Sequence, residues 1–236
     1  MSRFAPGLTA LALALTAGNA AAAFQDPATA AWGGWTRGTP GTLYAGWNFF
    51  SDETPRGGVI VDSTPDVAAN SLIGGVTTPG GPTFTQFGDS TFRVTETSGG
   101  SFVTGGGNIY SVVLANRFTL EFQNNGALPF QVALQTRTLG TELDPASILL
   151  NGVAPDHRQE LSRLALSGFG GDQIDNLFVW RLAAGRDLTL AFAAPASHLS
   201  LDALTLDAAP VPVPAAVWLL GSALSAMTFA ARRREI

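Results

Sequence analysis

The chain has 236 residues, no cysteine, no lysine and a formal net charge of −5. Without cysteine, disulfides cannot stabilise the fold. An acidic chain whose basic residues are all arginine argues against nucleic acid or anionic lipid as a partner. The composition instead fits an extracellular domain that stays soluble, or one that collects cations.

Residues 1–23 have the organisation of a secretory signal peptide. A short positive segment, Met1–Arg3, precedes an apolar core from Leu8 to Ala17, and Ala20–Ala23 supplies small residues for cleavage. A ten-residue apolar core is short for a membrane anchor. We therefore expect export, with signal peptidase cutting near Ala23 so that the mature chain begins at or next to Phe24.

The segment from Phe24 to Ala209 has the length of one domain. It contains nine arginines against seventeen acidic residues, a net charge of −8. Apolar and polar residues alternate in Thr91–Glu96, Arg117–Gln123 and Phe130–Arg137, which predicts strands with one wet face. Further predicted strands are Tyr44–Phe49, Ile109–Ala115, Ser147–Leu150, Leu161–Leu166, Leu177–Leu182, Leu188–Phe192 and Leu199–Leu206.

Glycine or proline occurs in nearly every gap between these segments, which predicts many short connections. Turn residues at 124–129 predict a hairpin between the strands on either side. Asp62–Pro82 reads as a long irregular connection. With little helical periodicity outside the two ends of the chain, the pattern predicts an all-β fold. We expect a single antiparallel β-sandwich of jelly-roll type over residues 24–209.

An aromatic group near the start of this domain allows two interpretations. Trp32, Trp35, Tyr44 and Trp47 lie within sixteen positions of one another. Their rings could form a platform on which sugars stack, because aromatic faces fit the apolar faces of pyranose rings. The same residues could also fill a β core.

Acidic residues suggest a structural Ca²⁺ site. Gly170 and Gly171 precede Asp172, Asp175 and Asn176, and hard oxygen donors beside a glycine-rich turn suit calcium. A turn in which these side chains bind backbone N–H groups is the other interpretation. The segment around Asp202 also resembles the closing strand of exported jelly rolls, including carbohydrate-binding modules, which implies an aspartate that serves a structural calcium.

Signatures of catalysis are scarce. The chain has two histidines, His157 in a polar segment that we expect to form a loop and His198 just before the last predicted strand. It has none of the common nucleophile-elbow, zinc-protease or phosphate-loop motifs. Acidic pairs at Asp52–Glu53 and Glu142–Asp144 keep a glycosidase open as an alternative. We expect a non-enzymatic protein, with a secreted jelly-roll glycan hydrolase or lyase as the rival.

Residues 210–236 form three successive parts. Alternating prolines open the segment, an uncharged apolar run follows from Ala215 to Ala231, and Arg232, Arg233 and Arg234 come next. The prolines favour extended backbone, so the predicted helix begins near Pro214. As a helix the apolar run is about 25 Å long, at the short end for a membrane span. The arginines are expected to remain cytoplasmic.

This tail resembles the PEP-CTERM sorting signal of Gram-negative bacteria in its VPLPA-type variant. The resemblance is carried by Val211, Pro212, Val213, Pro214 and Ala215, followed by the apolar span and the arginines; Val213 stands where the variant most often has Leu. It implies an inner-membrane-anchored precursor handled by exosortase. It also implies delivery to the cell surface or to the exopolysaccharide matrix of a biofilm.

Overall fold

A computed structural model of the chain describes residues 24–54, 58–70, 75–77, 92–123, 130–167, 170–182 and 187–211. Within these ranges the chain forms fourteen strands in two sheets, and all strand pairs are antiparallel. This confirms the all-β prediction.

The larger sheet has nine strands in the described residues. They are β1 (Leu43–Trp47), β3 (Val67–Asn70), β4 (Gly75–Thr77), β6 (Ser101–Val103), β7 (Ile109–Ser111), β9 (Phe130–Gly140), β11 (His157–Ala165), β12 (Asp172–Leu182) and β14 (Leu199–Pro210). Their main order across the sheet is β11-β12-β9-β14-β1-β3-β4. Strand β7 pairs with the beginning of β14 and with β6. The three long strands β12, β9 and β14 thus form the centre of the sheet.

The smaller sheet has five strands in the described residues, in the order β10-β13-β8-β5-β2. They are β2 (Ile60–Asp62), β5 (Arg93–Glu96), β8 (Arg117–Gln123), β10 (Leu149–Leu150) and β13 (Asp187–Ala193).

One hydrophobic core lies between the two sheets. Its members come from alternate positions of both sheets, as the two-residue period of a strand requires. The largest side chains with under 2 % exposure are Trp47, Trp180, Phe50, Phe118, Phe192, Leu43, Ile109, Leu120, Leu134, Leu143, Ile148 and Leu150. The molecule is therefore a β-sandwich whose inner faces are mainly apolar, with a few buried polar residues such as Glu96, Thr136 and Thr138.

Most strands appear where alternation predicted them, but one pairing prediction is wrong. In β5 the side chain of Val94 is buried and that of Arg93 is exposed, as expected. The hairpin predicted across 124–129 is not formed. Strand β8 pairs with β13 and β5 in the smaller sheet, whereas β9 pairs with β12 and β14 in the larger one. The connection between them therefore crosses from one sheet to the other.

Two segments predicted as irregular contain strands. The connection predicted over Asp62–Pro82 includes β3 and β4, which pair beside β1. The polar segment around His157 was interpreted as a loop, but it opens β11, an edge strand that is exposed over most of its length. Short strands and wet edge strands carry few apolar residues, so the alternation that reveals a strand is weak there.

The outer face of the larger sheet is covered in part by residues 24–42, here called the N-terminal arm. The backbone N–H of Gln25 donates to Gln135 Oε1 at 2.7 Å, and Gln135 Nε2 donates back to the Gln25 carbonyl at 3.0 Å. The Trp32 ring packs beside Ala133 and Val179 of the sheet. The arm thereby buries polar side chains on a sheet face that would otherwise be wet.

Strand β14 ends the described part of the chain. It continues to Pro210, four residues beyond the predicted end at Leu206, and Pro210 lies opposite Phe130 of β9. Residue 211 follows in irregular backbone. The predictions for the signal peptide at 1–23 and for the helix and Arg232–Arg234 lie outside the described residues, as do those for Pro212, Val213, Pro214 and Ala215. Among the residues that the structure does describe, no helix has the length and apolarity of a membrane span.

Candidate ligand-binding groove

A groove of about 640 Å³ runs across the outer face of the larger sheet, beside the N-terminal arm. This volume lies within the usual range for small-molecule sites. Strands β1, β9, β12 and β14 form its floor. The lining residues are Phe24, Arg37, Tyr44, Gly46, Trp47, Asn48, Asp66, Val67, Gly106, Arg137, Leu139, Leu166, Gln173, Asp202, Ala203 and Thr205. Most of the lining side chains can form hydrogen bonds, in contrast to the apolar face beneath the sheet.

A buried ion pair lies in the groove floor. Arg137 of β9 faces Asp175 of β12, and the two residues are register partners. Arg137 Nε donates to Asp175 Oδ1 at 2.7 Å and Nη2 donates to Oδ2 at 3.0 Å. The Ser162 hydroxyl donates to the same Oδ2 at 2.9 Å. The Asp175 carboxylate is fully buried and the Arg137 guanidinium nearly so. Each charge is therefore stabilised by its partner in place of water.

A second ion pair fastens the N-terminal arm to the sheet. Arg37 donates from Nε and Nη2 to the two carboxylate oxygens of Asp207, at 2.6 and 2.7 Å. The Arg37 guanidinium also lies 3.9 Å from the centre of the Tyr44 ring, within the range of a cation–π contact. Burial raises the pKa of Asp207 to about 6, although the hydrogen bond and charge of Arg37 oppose that rise.

Two further carboxylates face the groove and are bonded only by neutral groups. Asp66 Oδ2 accepts the backbone N–H groups of Asn48 at 2.7 Å and Phe49 at 2.9 Å. Asp202 Oδ1 accepts a hydrogen bond from the Asn108 amide at 2.8 Å. Burial raises the pKa of Asp202, against the opposing charge of Arg137. Within the described residues neither carboxylate belongs to an ion pair.

The groove owes its depth to Gly46 on β1. A Cβ at this position would lie 2.9 Å from the Tyr44 hydroxyl and 3.4 Å from Thr205 Cγ2, so any side chain would enter the groove. Among the described residues, one polar side-chain atom at the groove, Thr205 Oγ1, is buried and has no hydrogen-bond partner. Unsatisfied buried polar atoms are uncommon in folded proteins.

The four predicted stacking residues do not form one platform. Trp47 is 1 % exposed and belongs to the core, whereas Tyr44 lines the groove on the opposite face of the same strand. Trp32 and Trp35 lie edge to face with their ring centres 5.4 Å apart. Trp32 also borders a separate pocket of about 390 Å³ on the arm. The core interpretation therefore holds for Trp47, and sugar stacking stays a prediction for the other three residues.

The four predicted calcium ligands are divided between two places. Asp172, Asp175 and Asn176 were expected in a loop but lie within β12. The Asp172 carboxylate accepts a hydrogen bond from Arg163, and Asn176 lines a small pocket with residues that surround Arg163. Asp175 pairs with Arg137 on the other face, where Asp202 lines the groove.

In the described part of the chain, no group of three or more His, Cys, Asp or Glu side chains is placed to hold a metal ion. Calcium binding stays a prediction. A melting temperature measured in millimolar calcium and again in chelator would test it.

The acidic pairs considered for glycoside hydrolysis make loop contacts. The Asp52 carboxylate accepts the N–H of Thr54 and the Asp144 carboxylate that of Ala146, both two residues ahead. Glu142 accepts a hydrogen bond from Arg163. None of these carboxylates is among the described residues that line the groove.

Sequence reasoning missed the residues that shape the groove, above all Arg37, Arg137, Asp66 and Asp207. Arg137 and Asp175 are 38 positions apart and Arg37 and Asp207 are 170 apart, so no local motif joins them. Arg137 gave no local signal either, because it occupies a polar position of the alternation in Phe130–Arg137, where an arginine is ordinarily exposed to water.

Comparison with protein-family models, with curated proteins and with solved structures gives no match to this chain.

Proposed function

We propose that this chain is an exported, non-catalytic protein of the cell surface or extracellular matrix, and that it binds glycan in the outer groove. The observation that carries the proposal is the polar groove itself. Carboxylate, guanidinium, amide and hydroxyl groups converge on one concave surface next to the Tyr44 ring. Sugars present many hydroxyls on a partly apolar ring, and such a surface can bond the hydroxyls and contact the ring.

The sequence pattern at the two ends supports the delivery part of the proposal. Signal peptidase would remove residues 1–23, and exosortase would act on the PEP-CTERM-like tail, with its proposed membrane helix. In the structure, Val211 of the sorting motif comes directly after Pro210, the last residue of β14. The folded domain would thus lie close to the inner membrane before processing. We also propose that the strands of the two sheets are connected in the order of a jelly roll.

Binding is tested by applying the full-length chain to a glycan array and by incubating it with the best glycans in a reducing-sugar assay. We expect retention of a subset of glycans and no release of reducing ends. The matched variant is Gly46→Val, whose side chain would fill the groove while its core neighbours Ala45 and Trp47 stay unchanged. It should fold and lose binding.

Two results would contradict this part of the proposal. Absence of binding to any glycan would overturn the assignment to the groove. Release of reducing ends would replace it with the glycan hydrolase, and release of unsaturated products with the lyase.

Delivery is tested separately, by intact-mass measurement of the protein released from a host that contains exosortase. We expect a mass that begins near Phe24 and ends near residues 211–215. A released protein that still contains Trp218 and Arg232–Arg234 would overturn the sorting proposal and leave the groove unaffected.

A further inference from the structure

The charged side chains in and beneath the groove differ in whether they form an ion pair. Both arginines of the groove are engaged by carboxylates of their own sheet, Arg137 by Asp175 and Arg37 by Asp207. Each guanidinium uses Nε and Nη2 for its partner. A two-point contact of this kind is among the stronger hydrogen-bonded pairings in proteins. An anionic ligand would have to compete with a buried carboxylate for either arginine.

The remaining two carboxylates of the groove have no ion-pair partner among the described residues. In that part of the chain, Asp66 and Asp202 receive hydrogen bonds only from backbone N–H groups and from the Asn108 amide. In each case the bonds go to a single carboxylate oxygen, Oδ2 of Asp66 and Oδ1 of Asp202. The other oxygen of each side chain remains to accept a hydrogen bond from a ligand.

We propose that the groove selects glycans that carry free amino groups, such as oligomers of hexosamine units. This rests on the proposed glycan binding and names its ligand class. An ammonium group brings up to three donors and a positive charge to either carboxylate, whereas a sugar carboxylate or sulfate would enter a groove that carries two further negative charges.

Partial burial strengthens this selection. The Asp202 side chain is only partly exposed, and burial raises its pKa although the charge of Arg137 opposes that rise. A bound ammonium group would supply the missing charge, in a setting where water screens it less than at an open surface.

The test uses the full-length chain and four probes of equal length. They are a glucosamine oligomer, its N-acetylated counterpart, a uronic-acid oligomer and oligolysine. We expect the glucosamine oligomer to bind at least about tenfold more tightly than the other three, as one charge-assisted hydrogen bond would provide. Asp66→Asn and Asp202→Asn should each reduce that affinity about tenfold and change binding of the N-acetylated oligomer by less than about twofold.

The matched control is Asp144→Asn. This turn residue also accepts a backbone N–H, from Ala146 at 2.9 Å, and the substitution removes the same charge outside the groove. It should leave all affinities unchanged.

The outcomes separate this inference from the function on which it rests. Equal binding of the free-amine and N-acetylated oligomers, or preference for the uronic acid, would overturn the amine selection and leave glycan binding standing. Equal binding of oligolysine, or indifference to Asp66→Asn and Asp202→Asn, would show that surface charge alone attracts the amine and would overturn the inference. Failure of every sugar to bind would overturn both.

Discussion

Both faces of the larger sheet contain buried side chains, yet the two faces are built from opposite chemistry. The inner face presents Leu134, Leu206 and Trp180 to the other sheet. The outer face presents Arg137 and Asp207, together with other polar side chains, to the N-terminal arm and the groove. The same three central strands supply both faces at alternate positions.

The difference teaches that burial alone does not identify a core. On the inner face, contact with a second sheet removes water over a wide area and apolar packing stabilises the fold. On the outer face a short arm covers part of the sheet, and two ion pairs, Arg137 with Asp175 and Arg37 with Asp207, match each charge with a specific partner. A buried charge without its partner is costly, so the outer face depends on a few pairs and the inner face on total packed volume.

The largest effect is expected from truncation of the inner face at Trp180. This side chain has no measurable exposure, and its Nε1 donates to the Val153 carbonyl at 2.9 Å. Trp180→Ala should lower the free energy of unfolding by about 3–5 kcal/mol, through lost packing and a residual cavity. Denaturant titration measures this. A loss below about 1 kcal/mol would mean that the two sheets do not pack as described.

A somewhat smaller loss is expected when the buried pair on the outer face is broken. Asp175→Leu leaves Arg137 without its buried carboxylate and should cost about 3 kcal/mol, the lower end for such changes because the groove admits water to the arginine. The double variant Arg137→Met/Asp175→Leu should regain most of that loss. Denaturant curves for both variants decide the matter. If the double variant is as unstable as the single one, the loss of stability comes from altered packing and not from an unpaired buried charge.

The arm should make stability depend on pH through Asp207. Its pKa of about 6 exceeds the ordinary 3.8, so the folded state binds a proton more tightly than the unfolded state does. This group therefore destabilises the fold as pH rises through 6 and stabilises it as pH falls toward 4. Relative to Asp207→Asn, the wild type should gain about 2 kcal/mol between pH 7.5 and pH 4. Thermal or denaturant unfolding at several pH values measures the difference, and a constant difference would contradict it.

The smallest effect is expected on the wet face of the smaller sheet. Arg93 Nε donates to Glu121 Oε2 at 2.7 Å across β5 and β8, and both side chains are largely exposed. Arg93→Ala should cost only about 0.2–1 kcal/mol, because water and salt screen such pairs. A loss as large as that of Asp175→Leu, measured in the same titration, would remove the distinction between covered and wet polar faces.

The sequence allowed the strands to be predicted but not their partners. Alternation in Arg117–Gln123 is a local property, so it locates β8 correctly. The same alternation does not say which sheet receives the strand, and the hairpin predicted between β8 and β9 was wrong for that reason. Edge strand β11 shows the converse case, because its exposed side chains include no regular apolar set.

The candidate site was predictable only in fragments. The sequence shows that Tyr44 and Trp47 are aromatic, but residues three apart in a strand point to opposite faces. Of these two rings, only that of Tyr44 therefore lies on the groove side of the sheet. The same parity separates Asp172 from Asp175. Asp202 was noticed for a calcium role, and the structure places it in the groove beside Arg137. The arginine pairs span 38 and 170 positions, and only the folded chain brings them together.

Strand β14 also determines how the molecule responds to mechanical force. It is the strand that leads into the C-terminal segment, and it pairs with β9 along one side and with β7 and β1 along the other. When the chain is held by that segment, tension acts along the strand and loads both hydrogen-bond ladders in shear, so that many bonds resist together. Thr205 and Ala203 of the groove belong to this strand. A ligand pulled in the groove would therefore transmit its force to the C-terminal segment through one continuous strand.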